Sequence, residues 1–209
     1  MNYLITHKMD PYIYINKHSL SPEICKDIIE IYEKTQNKQR ATTLGGLNEN
    51  VFKAMQCYIQ NIKDPNWPTI HDFLKQELTN NVLKYMKTLD DQIGDGKTYK
   101  HMKEDIIYND FHINKYECQH EGKYDYHIDR YLNKGMDQER HITFIWYLND
   151  VEEGGETEMN GNIRIKPESG KLLLFPSTWT YPHCSRKTIS NDKYVIVGWL
   201  MRKVLPANI

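Results

Sequence analysis

The spacing of apolar residues changes near the middle of this 209-residue chain, from helical periodicity to short runs of strand-favouring residues. The first half predicts two helices. One begins after Ser21, a good N-cap, has Pro22 in its first turn and ends near Lys34. The other begins near Pro68 and ends before the Gly-Asp-Gly sequence at 94–96. Its predicted apolar stripe comprises Ile70, Phe73, Leu74, Leu78, Leu83 and Met86.

The second half, from about residue 100, consists of short runs rich in Tyr, Ile, Val, Phe and Trp, separated by Gly, Asn and Pro. Many short strands favour a β-barrel or β-sandwich. We therefore expect one compact, mainly β unit with N-terminal helices (α+β), in which a helical support region, residues 1–99, packs on a β region, residues 100–209. The predicted strands cover residues 106–116, 124–128, 141–148, 155–158, 163–167, 170–175, 180–184 and 193–202.

The segment between the two predicted helices has no clear periodicity. Residues 36–66 are polar and contain the Gly45-Gly46 pair. Part of the segment is interpreted as a mobile loop, and a helix over residues 51–62 stays open as an alternative. A short strand is predicted before the first helix, at residues 12–15.

Charge and composition argue against several classes of partner. The formal net charge is −1, so no global field attracts nucleic acid or an anionic membrane. Neither a signal-peptide pattern in the first eight residues nor an apolar stretch of membrane-spanning length is found. We expect a cytoplasmic protein with reduced thiols and no nucleic-acid or membrane partner, since the cysteines form no CxxC pair. They are Cys25, Cys57, Cys118 and Cys184.

Two histidines and one aspartate form the most informative pattern in the chain. His127 and Asp129 are two residues apart, and residues i and i+2 of an extended strand point to the same side, so both can reach one ion. His183 follows on a later predicted strand. Taken singly, each histidine is better explained as an ordinary packed or titrating residue. As an ordered set, they predict a metal centre with one open face, which suits iron(II) better than structural zinc.

A basic residue follows the second histidine at an informative distance. Lys193 lies ten residues after His183, far enough to sit on the next strand and point a positive charge into the same cavity. A cosubstrate that carries a carboxylate needs such a charge. From spacing alone, a solvated lysine in the polar loop 190–193 explains this residue equally well.

The segment from Tyr116 to Trp199 resembles the iron(II)- and 2-oxoglutarate-dependent dioxygenases, most closely the prolyl 4-hydroxylase branch in a compact bacterial or viral form. An isolated HxD sequence is weak evidence, but the ordered set of motifs is specific. In chain order they are YDYHID at 124–129, RHIT at 140–143, WYLNDVEEGGET at 146–157, KP at 166–167, GKLLLF at 170–175, His183, Lys193 and GW at 198–199.

This resemblance implies a double-stranded β-helix, or jelly roll, buttressed by the N-terminal helices. It implies iron(II) as the metal, held by His127, Asp129 and His183, with 2-oxoglutarate and O2 as cosubstrates and ascorbate as the reductant. The implied activity is peptidyl-proline 4-hydroxylation with release of succinate and CO2, in the cytoplasm or in a host cytoplasm if the protein is viral. The residues implied to bind 2-oxoglutarate are Lys193, Thr157, Tyr116 and Tyr147.

The same resemblance assigns three residues to a proline-containing peptide or protein substrate. Tyr124 precedes His127 by three residues and so lies near the metal. Trp199 offers an apolar face to a pyrrolidine ring, and Arg140 offers donors to a peptide carbonyl. Simpler interpretations stay open: Trp199 in the barrel core, Arg140 in a surface ion pair, and Tyr124 as one of fifteen tyrosines.

Two other functions remain as alternatives. One is hydroxylation of a free amino acid or another small metabolite, which a closed pocket with several charged groups would favour over an open groove with movable loops at Gly45-Gly46 and residues 130–138. The other is a catalytically silent jelly-roll binding or sensor protein. The presence of all three predicted metal ligands together with Lys193 argues against the silent protein.

Overall fold

Both predicted helices are confirmed in the computed structural model, which describes residues 10–99, 106–108, 111–133, 135 and 137–204. Helix α1 spans Pro22–Lys34, and the Ser21 side chain accepts a hydrogen bond from the backbone N–H of Ile24. Helix α2 spans Trp67–Ile93 and ends at Gly94, whose φ of 81° lies in the left-handed region that favours glycine.

Short antiparallel strands form two sheets. They are β1 (Tyr14–Asn16), β2 (Gln39–Arg40), β3 (Phe52–Lys53), β4 (Met55–Tyr58), β5 (Ile106–Tyr108), β6 (His112–Tyr116), β7 (Lys123–His127), β8 (Leu132–Asn133), β9 (Gln138–Tyr147), β10 (Thr157–Met159), β11 (Ile163–Ile165), β12 (Leu172–Pro176), β13 (His183–Ser185) and β14 (Lys193–Lys203). The larger sheet has the order β1-β12-β9-β14-β6-β4-β2, with β5 beside β14 and β8 beside β9. The smaller sheet has the order β11-β10-β13-β7-β3.

The two sheets enclose one core, and the helices cover a second core on the outer face of the larger sheet. Strand β12 shows how alternation supplies both cores. Leu172 and Leu174 pack toward the helices, whereas Leu173 and Phe175 face the smaller sheet. The arrangement is a jelly-roll-like fold buttressed by two helices, as predicted.

Several details differ from the prediction. Residues 51–62 contain strands β3 and β4 and a short 3-10 turn (Ile59–Asn61), so the alternative of a helix there is wrong. Strands β1, β3 and β4 belong to the N-terminal region but pair with strands of the C-terminal region, and β2 extends the sheet by pairing with β4. Two predicted stripe residues of α2, Phe73 and Leu83, are 42% and 44% exposed. Leu74, Leu78 and Met86 are buried as predicted, and the buried face also carries Trp67, Val82, Tyr85 and Leu89.

Some predictions fall partly on residues outside the described ones. The expectation that residues 1–8 form no signal peptide falls wholly outside them. Part of the predicted strand at 106–116 and part of the predicted movable segment at 130–138 also lie outside. Neither described helix combines the length and apolarity that a membrane span requires.

Candidate active site

Three side chains with metal-binding chemistry converge on the cavity between the two sheets. His127 ends β7, His183 begins β13, and the two residues pair across these neighbouring strands. The carboxylate oxygens of Asp129 lie 3.6 Å from Nε2 of each histidine. Two donors at about 2.1 Å from one ion lie no more than ~4.2 Å apart, so this spacing fits a shared metal ion. Within the described part of the chain, no other trio of potential ligands has all donor atoms within 4.8 Å of one another.

Backbone carbonyls orient both imidazole rings. Nδ1 of His127 lies 2.8 Å from the carbonyl oxygen of Asp125, and Nδ1 of His183 lies 3.1 Å from that of Tyr181. When Nδ1 donates to the carbonyl, the proton is fixed there and the lone pair of Nε2 is free for a metal.

Asp129 is held in its ionised form. Its Oδ2 accepts a hydrogen bond from Thr143 Oγ1 at 2.8 Å, and Thr143 in turn lies 2.8 Å from Ser177 Oγ. Burial opposes the charge, but the two histidines and Thr143 outweigh it and lower the pKa of the carboxyl group. Burial, with repulsion from His183, lowers the pKa of His127 to about 4. At neutral pH His127 is therefore neutral and Asp129 is charged, as metal binding requires.

Aromatic rings fix the walls next to these ligands. Tyr124 stacks on His127 with ring centroids 3.6 Å apart, and Phe52 stacks on the other side of Tyr124 at 3.9 Å. Phe175 packs edge-on against His183 at 4.8 Å. Burial and the nearby Asp129 raise the pKa of Tyr124 to about 12, so its phenol stays protonated and can donate a hydrogen bond.

A buried carboxylate ties together the strands that carry the two histidines. Glu158 on β10 accepts hydrogen bonds from Tyr126 Oη at 2.8 Å, from Arg164 Nε at 2.7 Å and from Arg186 Nη2 at 2.5 Å. Hydrogen bonds from Arg186 and Tyr126 lower its pKa to about 2. Tyr126 belongs to β7 and Arg186 directly follows β13, so this cluster fixes the spacing of the two strands. Sequence reasoning missed Glu158.

Lys193 is not the solvated lysine that its sequence context allowed, because its side chain is 1% exposed. Nζ donates hydrogen bonds to the carbonyl of Gly155 at 2.8 Å and to the hydroxyl of Ser185, and lies 4.3 Å from the centre of the Tyr116 ring. An ammonium group has three donors, which leaves one for a carboxylate in the cavity. Burial lowers the pKa of Lys193 to about 7, although the charge of Glu156 opposes the shift.

The other three residues predicted to bind 2-oxoglutarate are placed differently from one another. Tyr116 pairs with Lys193 across β6 and β14, and both it and Thr157 line the cavity. Tyr147 is fully buried and does not line the cavity; its Oη lies 2.6 Å from Oγ1 of Thr157. Tyr147 therefore orients Thr157, whereas Thr157, Tyr116 and Lys193 line the cavity themselves.

Arg140 and Trp199 form one surface near the metal ligands, and neither simpler interpretation holds. The guanidinium carbon of Arg140 lies 3.4 Å from the centre of a Trp199 ring, and Nη1 donates to the Asp129 carbonyl at 3.3 Å. Trp199 is half-buried in the cavity wall, and its indole nitrogen is buried with no hydrogen-bond partner among the described residues. Arg140 covers part of the ring that was predicted to receive a proline.

The cavity has a volume of about 460 Å³ and includes residues that sequence reasoning did not select. Ser185 is two residues from His183, and the i, i+2 rule that linked His127 to Asp129 could have found it. His112 and Asn114 precede Tyr116 by four and two residues on β6, so the same alternation indicates them. Gln56 on β4 had no such signal, because its segment was not predicted as a strand.

The donor set determines which metals suit this site. Two imidazoles and one carboxylate on one side of an ion leave the remaining positions open, an arrangement typical of non-haem iron(II) in oxygenases. No thiolate takes part, since Cys184 adjoins His183 but its thiol shares no close grouping with these donors. His127, Asp129 and His183 therefore fit an iron(II) ion, although this assignment stays a prediction.

Comparison with known proteins agrees with the geometry. Residues 111–201 match the sequence model of the 2OG-Fe(II) oxygenase superfamily. The chain is 29% identical to prolyl 4-hydroxylase 13 of Arabidopsis thaliana over 44% of this chain and 43% of that protein. It is 31% identical to a PKHD-type hydroxylase of Prochlorococcus marinus over 37% of this chain and 36% of that protein. The matches thus span less than half the length of these relatives.

Solved structures extend the similarity of fold to nearly the whole chain. A viral collagen prolyl hydroxylase from Paramecium bursaria Chlorella virus-1 superposes with a TM-score of 0.60 and 19% identity, covering 92% of this chain and 97% of that chain. A prolyl hydroxylase from Trichoplax adhaerens, solved with a peptide fragment of hypoxia inducible factor, gives a TM-score of 0.66 and 17% identity, covering 92% and 84%. At these identities the likeness concerns the fold.

Proposed function

We propose that the protein is an iron(II)- and 2-oxoglutarate-dependent hydroxylase of proline in a peptide or protein, a proposal supported by the match of residues 111–201 to the sequence model of the 2OG-Fe(II) oxygenase superfamily. The observation that carries the proposal is the convergence of His127, Asp129 and His183 on a cavity that also holds the buried ammonium of Lys193. When bound, iron(II) with 2-oxoglutarate and O2 supplies the C–H hydroxylation, with release of succinate and CO2.

The other side chains around the metal ligands have two proposed roles, binding of the cosubstrate and binding of the peptide. Lys193, with Thr157 and Tyr116, presents hydrogen-bond donors to the distal carboxylate of the cosubstrate at one part of the cavity. Tyr124 and Trp199 present ring surfaces beside the metal ligands, and extended proline-rich segments dock well on such surfaces.

The charges in the cavity favour a peptide over a free amino acid. Among the described residues that line it, Arg130, Arg140 and Lys193 are cationic, and Asp129 is the only acid. Asp129 is assigned to the metal, so the ammonium group of a free amino acid has no carboxylate partner there. A residue within a peptide has no such ammonium group.

A substrate panel tests the proposal directly. With iron(II), ascorbate and 2-oxoglutarate, the protein is expected to add 16 mass units to proline-rich peptides such as five repeats of Pro-Ala, with matching succinate release. Free L-proline should react at no more than about a tenth of that rate, because an unpaired ammonium costs more than ~1.4 kcal/mol. Peptide mass and succinate are both measured at equal substrate concentrations.

Two variants supply the control for this panel. Tyr124→Ala and Trp199→Ala should reduce peptide hydroxylation more than they reduce 2-oxoglutarate decay without substrate, because damage at the metal depresses both rates together. Efficient turnover of free proline with every peptide inert would overturn the peptide assignment and favour the small-metabolite alternative. Absence of any 2-oxoglutarate turnover in the iron-loaded protein would favour a silent binding protein.

The titration of Lys193 predicts how 2-oxoglutarate affinity depends on pH. Only the protonated ammonium attracts a carboxylate, and burial lowers its pKa in the free protein to about 7. The affinity for 2-oxoglutarate is therefore at its maximum below pH 7, where Lys193 is protonated. Above that pH the affinity falls by roughly tenfold for each pH unit, until the pH reaches the higher pKa that Lys193 has in the complex. Calorimetry on the Mn(II)-loaded protein should show binding about 20-fold weaker at about pH 8.5 than at about pH 6.5.

Lys193→Arg provides the matched control, because a guanidinium stays charged throughout this range. Its affinity for 2-oxoglutarate should be lower at every pH, since the longer side chain fits poorly, but nearly independent of pH. Equal pH dependence in the wild type and in Lys193→Arg would assign the titration to another group.

A further inference from the structure

One histidine in the cavity has no role in the proposed chemistry. The side chain of His112 is 7% exposed, lines the cavity and makes no hydrogen bond to any described residue. Its ring packs between two aromatic rings, with centroids 5.6 Å from Tyr58 and 5.5 Å from Trp199. A buried polar ring that opens into a cavity without a partner is normally matched by a ligand.

The register of β6 and β14 separates His112 from the cosubstrate end of the cavity. Tyr116 pairs with Lys193, whereas His112 lies four residues earlier on β6 and pairs with Val197. Four residues of a strand span about 13 Å, so His112 lies well beyond the reach of a group that contacts Lys193. The ring instead adjoins Trp199, and its positive neighbour is Arg140.

Asn114, the polar residue between these two ends of the cavity, already has a hydrogen-bond partner within the protein. The side-chain oxygen of Asn114 accepts a hydrogen bond from Gln56 Nε2 at 3.2 Å, and both side chains are buried. At the end of β6 away from Lys193, the hydrogen-bonding groups of His112 are therefore available to a substrate.

The charge state of the ring limits what it recognises. Burial and repulsion from Arg140 lower the pKa of His112 to about 3, so the imidazole is neutral under ordinary conditions. A neutral imidazole has one N–H donor and one nitrogen acceptor, which matches the N–H and C=O groups of a peptide backbone. A carboxylate group of a substrate would instead bind to the guanidinium of Arg140, which carries a positive charge.

We propose that His112 is a specificity-determining residue that hydrogen-bonds to the main chain of a peptide substrate next to the residue that is hydroxylated. The inference rests on the proposed function, because it takes the hydroxylated group to be part of a peptide. Together with Trp199 and Arg140, His112 defines a substrate surface on the larger sheet, opposite the ligands on β7 and β13.

The test compares two substitutions of His112 in the full chain. His112→Phe keeps a flat ring but removes both hydrogen-bonding groups, whereas His112→Asn keeps an amide donor and acceptor close to the position of Nδ1. The probe is a fluorescein-labelled peptide of five Pro-Ala repeats, followed by fluorescence anisotropy on the Mn(II)- and 2-oxoglutarate-loaded protein. Peptide KM and 2-oxoglutarate Kd are measured in parallel.

We expect His112→Phe to raise the peptide Kd and KM by about 5- to 100-fold, with a 2-oxoglutarate Kd close to that of the wild type. His112→Asn should recover most of the peptide affinity. His120→Phe is the matched control, because His120 is exposed outside the cavity, and it should bind the peptide like the wild type.

Two results would overturn the inference: peptide affinity in His112→Phe equal to the wild type, or an equal loss in His112→Phe and His112→Asn, which indicates packing alone. If His112→Phe fails to fold, His112→Ala replaces it in the same comparison. A wild-type protein that neither binds nor hydroxylates any peptide would contradict the proposed function itself, so the two failures are distinguishable.

Discussion

His183→Ala is expected to abolish succinate formation and to weaken metal binding by at least about 100-fold, and His127→Ala should do the same. Loss even of an outer partner of a metal ligand typically costs 10- to 100-fold, so loss of one of three direct ligands costs more. Each imidazole uses Nδ1 on a backbone carbonyl and leaves only Nε2 for a metal. Calorimetry with Mn(II) and a succinate assay measure the two effects.

The fold should survive both substitutions. Neither ring fills the centre of a core, although His183 contacts Phe175 and His127 contacts Tyr124. Circular dichroism and the thermal midpoint verify this, and His120→Ala serves as a control because His120 is exposed. Turnover at the wild-type rate in both His127→Ala and His183→Ala would place the metal elsewhere.

Local patterns were sufficient to predict the elements that depend on local physics. The cap at Ser21 and the left-handed turn at Gly94 bound the helices where capping preferences place them. The i, i+2 rule predicts that His127 and Asp129 lie together, and their donor atoms are 3.6 Å apart, although β7 ends at His127 and Asp129 lies just beyond the strand. That His183 pairs with His127 depends on strand order, which the motif resemblance supplied and periodicity alone did not.

Elements whose conformation depends on distant partners were not predictable in the same way. Strands β3 and β4 have only two and four residues, and they are stabilised by pairing with β7 and β6, which lie more than fifty residues away. The buried face of α2 includes Leu74, Leu78 and Met86 of the predicted stripe but differs from it in other residues. Tyr85 and Leu89 are buried, whereas Phe73 and Leu83 are exposed. Some apolar residues of this helix therefore lie off its buried face, and packing against the sheet decides which of them are buried.

In the candidate site too, features that depend on local spacing are predictable and features that depend on distant partners are not. Side chains that point along a strand into the cavity follow from alternation, and His112 and Ser185 are indicated once β6 and β13 are recognised. Alternation does not predict how deeply a side chain is buried. Tyr147 and Tyr116 have similar sequence settings, but of the two only Tyr116 lines the cavity. Glu158 acts through Tyr126 on β7 and through Arg186 directly after β13, and no spacing in the sequence reveals such a cluster.

Lys193→Ala is expected to weaken 2-oxoglutarate binding strongly while metal binding stays nearly intact. A lost charged hydrogen bond in a partly dry pocket costs about 2–5 kcal/mol, or roughly 30-fold to several thousand-fold in affinity. The loss should be large here because Lys193 is buried and Arg140, the alternative cation, is stacked on Trp199 near the substrate end. Calorimetric titration of the Mn(II)-loaded variant with 2-oxoglutarate measures the loss.

Lys193→Met separates the charge from the packing. Lys193 is among the largest fully buried side chains, so alanine leaves an empty space, whereas methionine retains most of the volume without the ammonium. If the charge anchors the cosubstrate, both variants lose 2-oxoglutarate affinity to a similar degree and both still bind Mn(II). If Lys193→Met binds 2-oxoglutarate like the wild type, the anchor lies elsewhere, and Arg140 becomes the residue to test, because it is a half-buried cation that lines the same cavity.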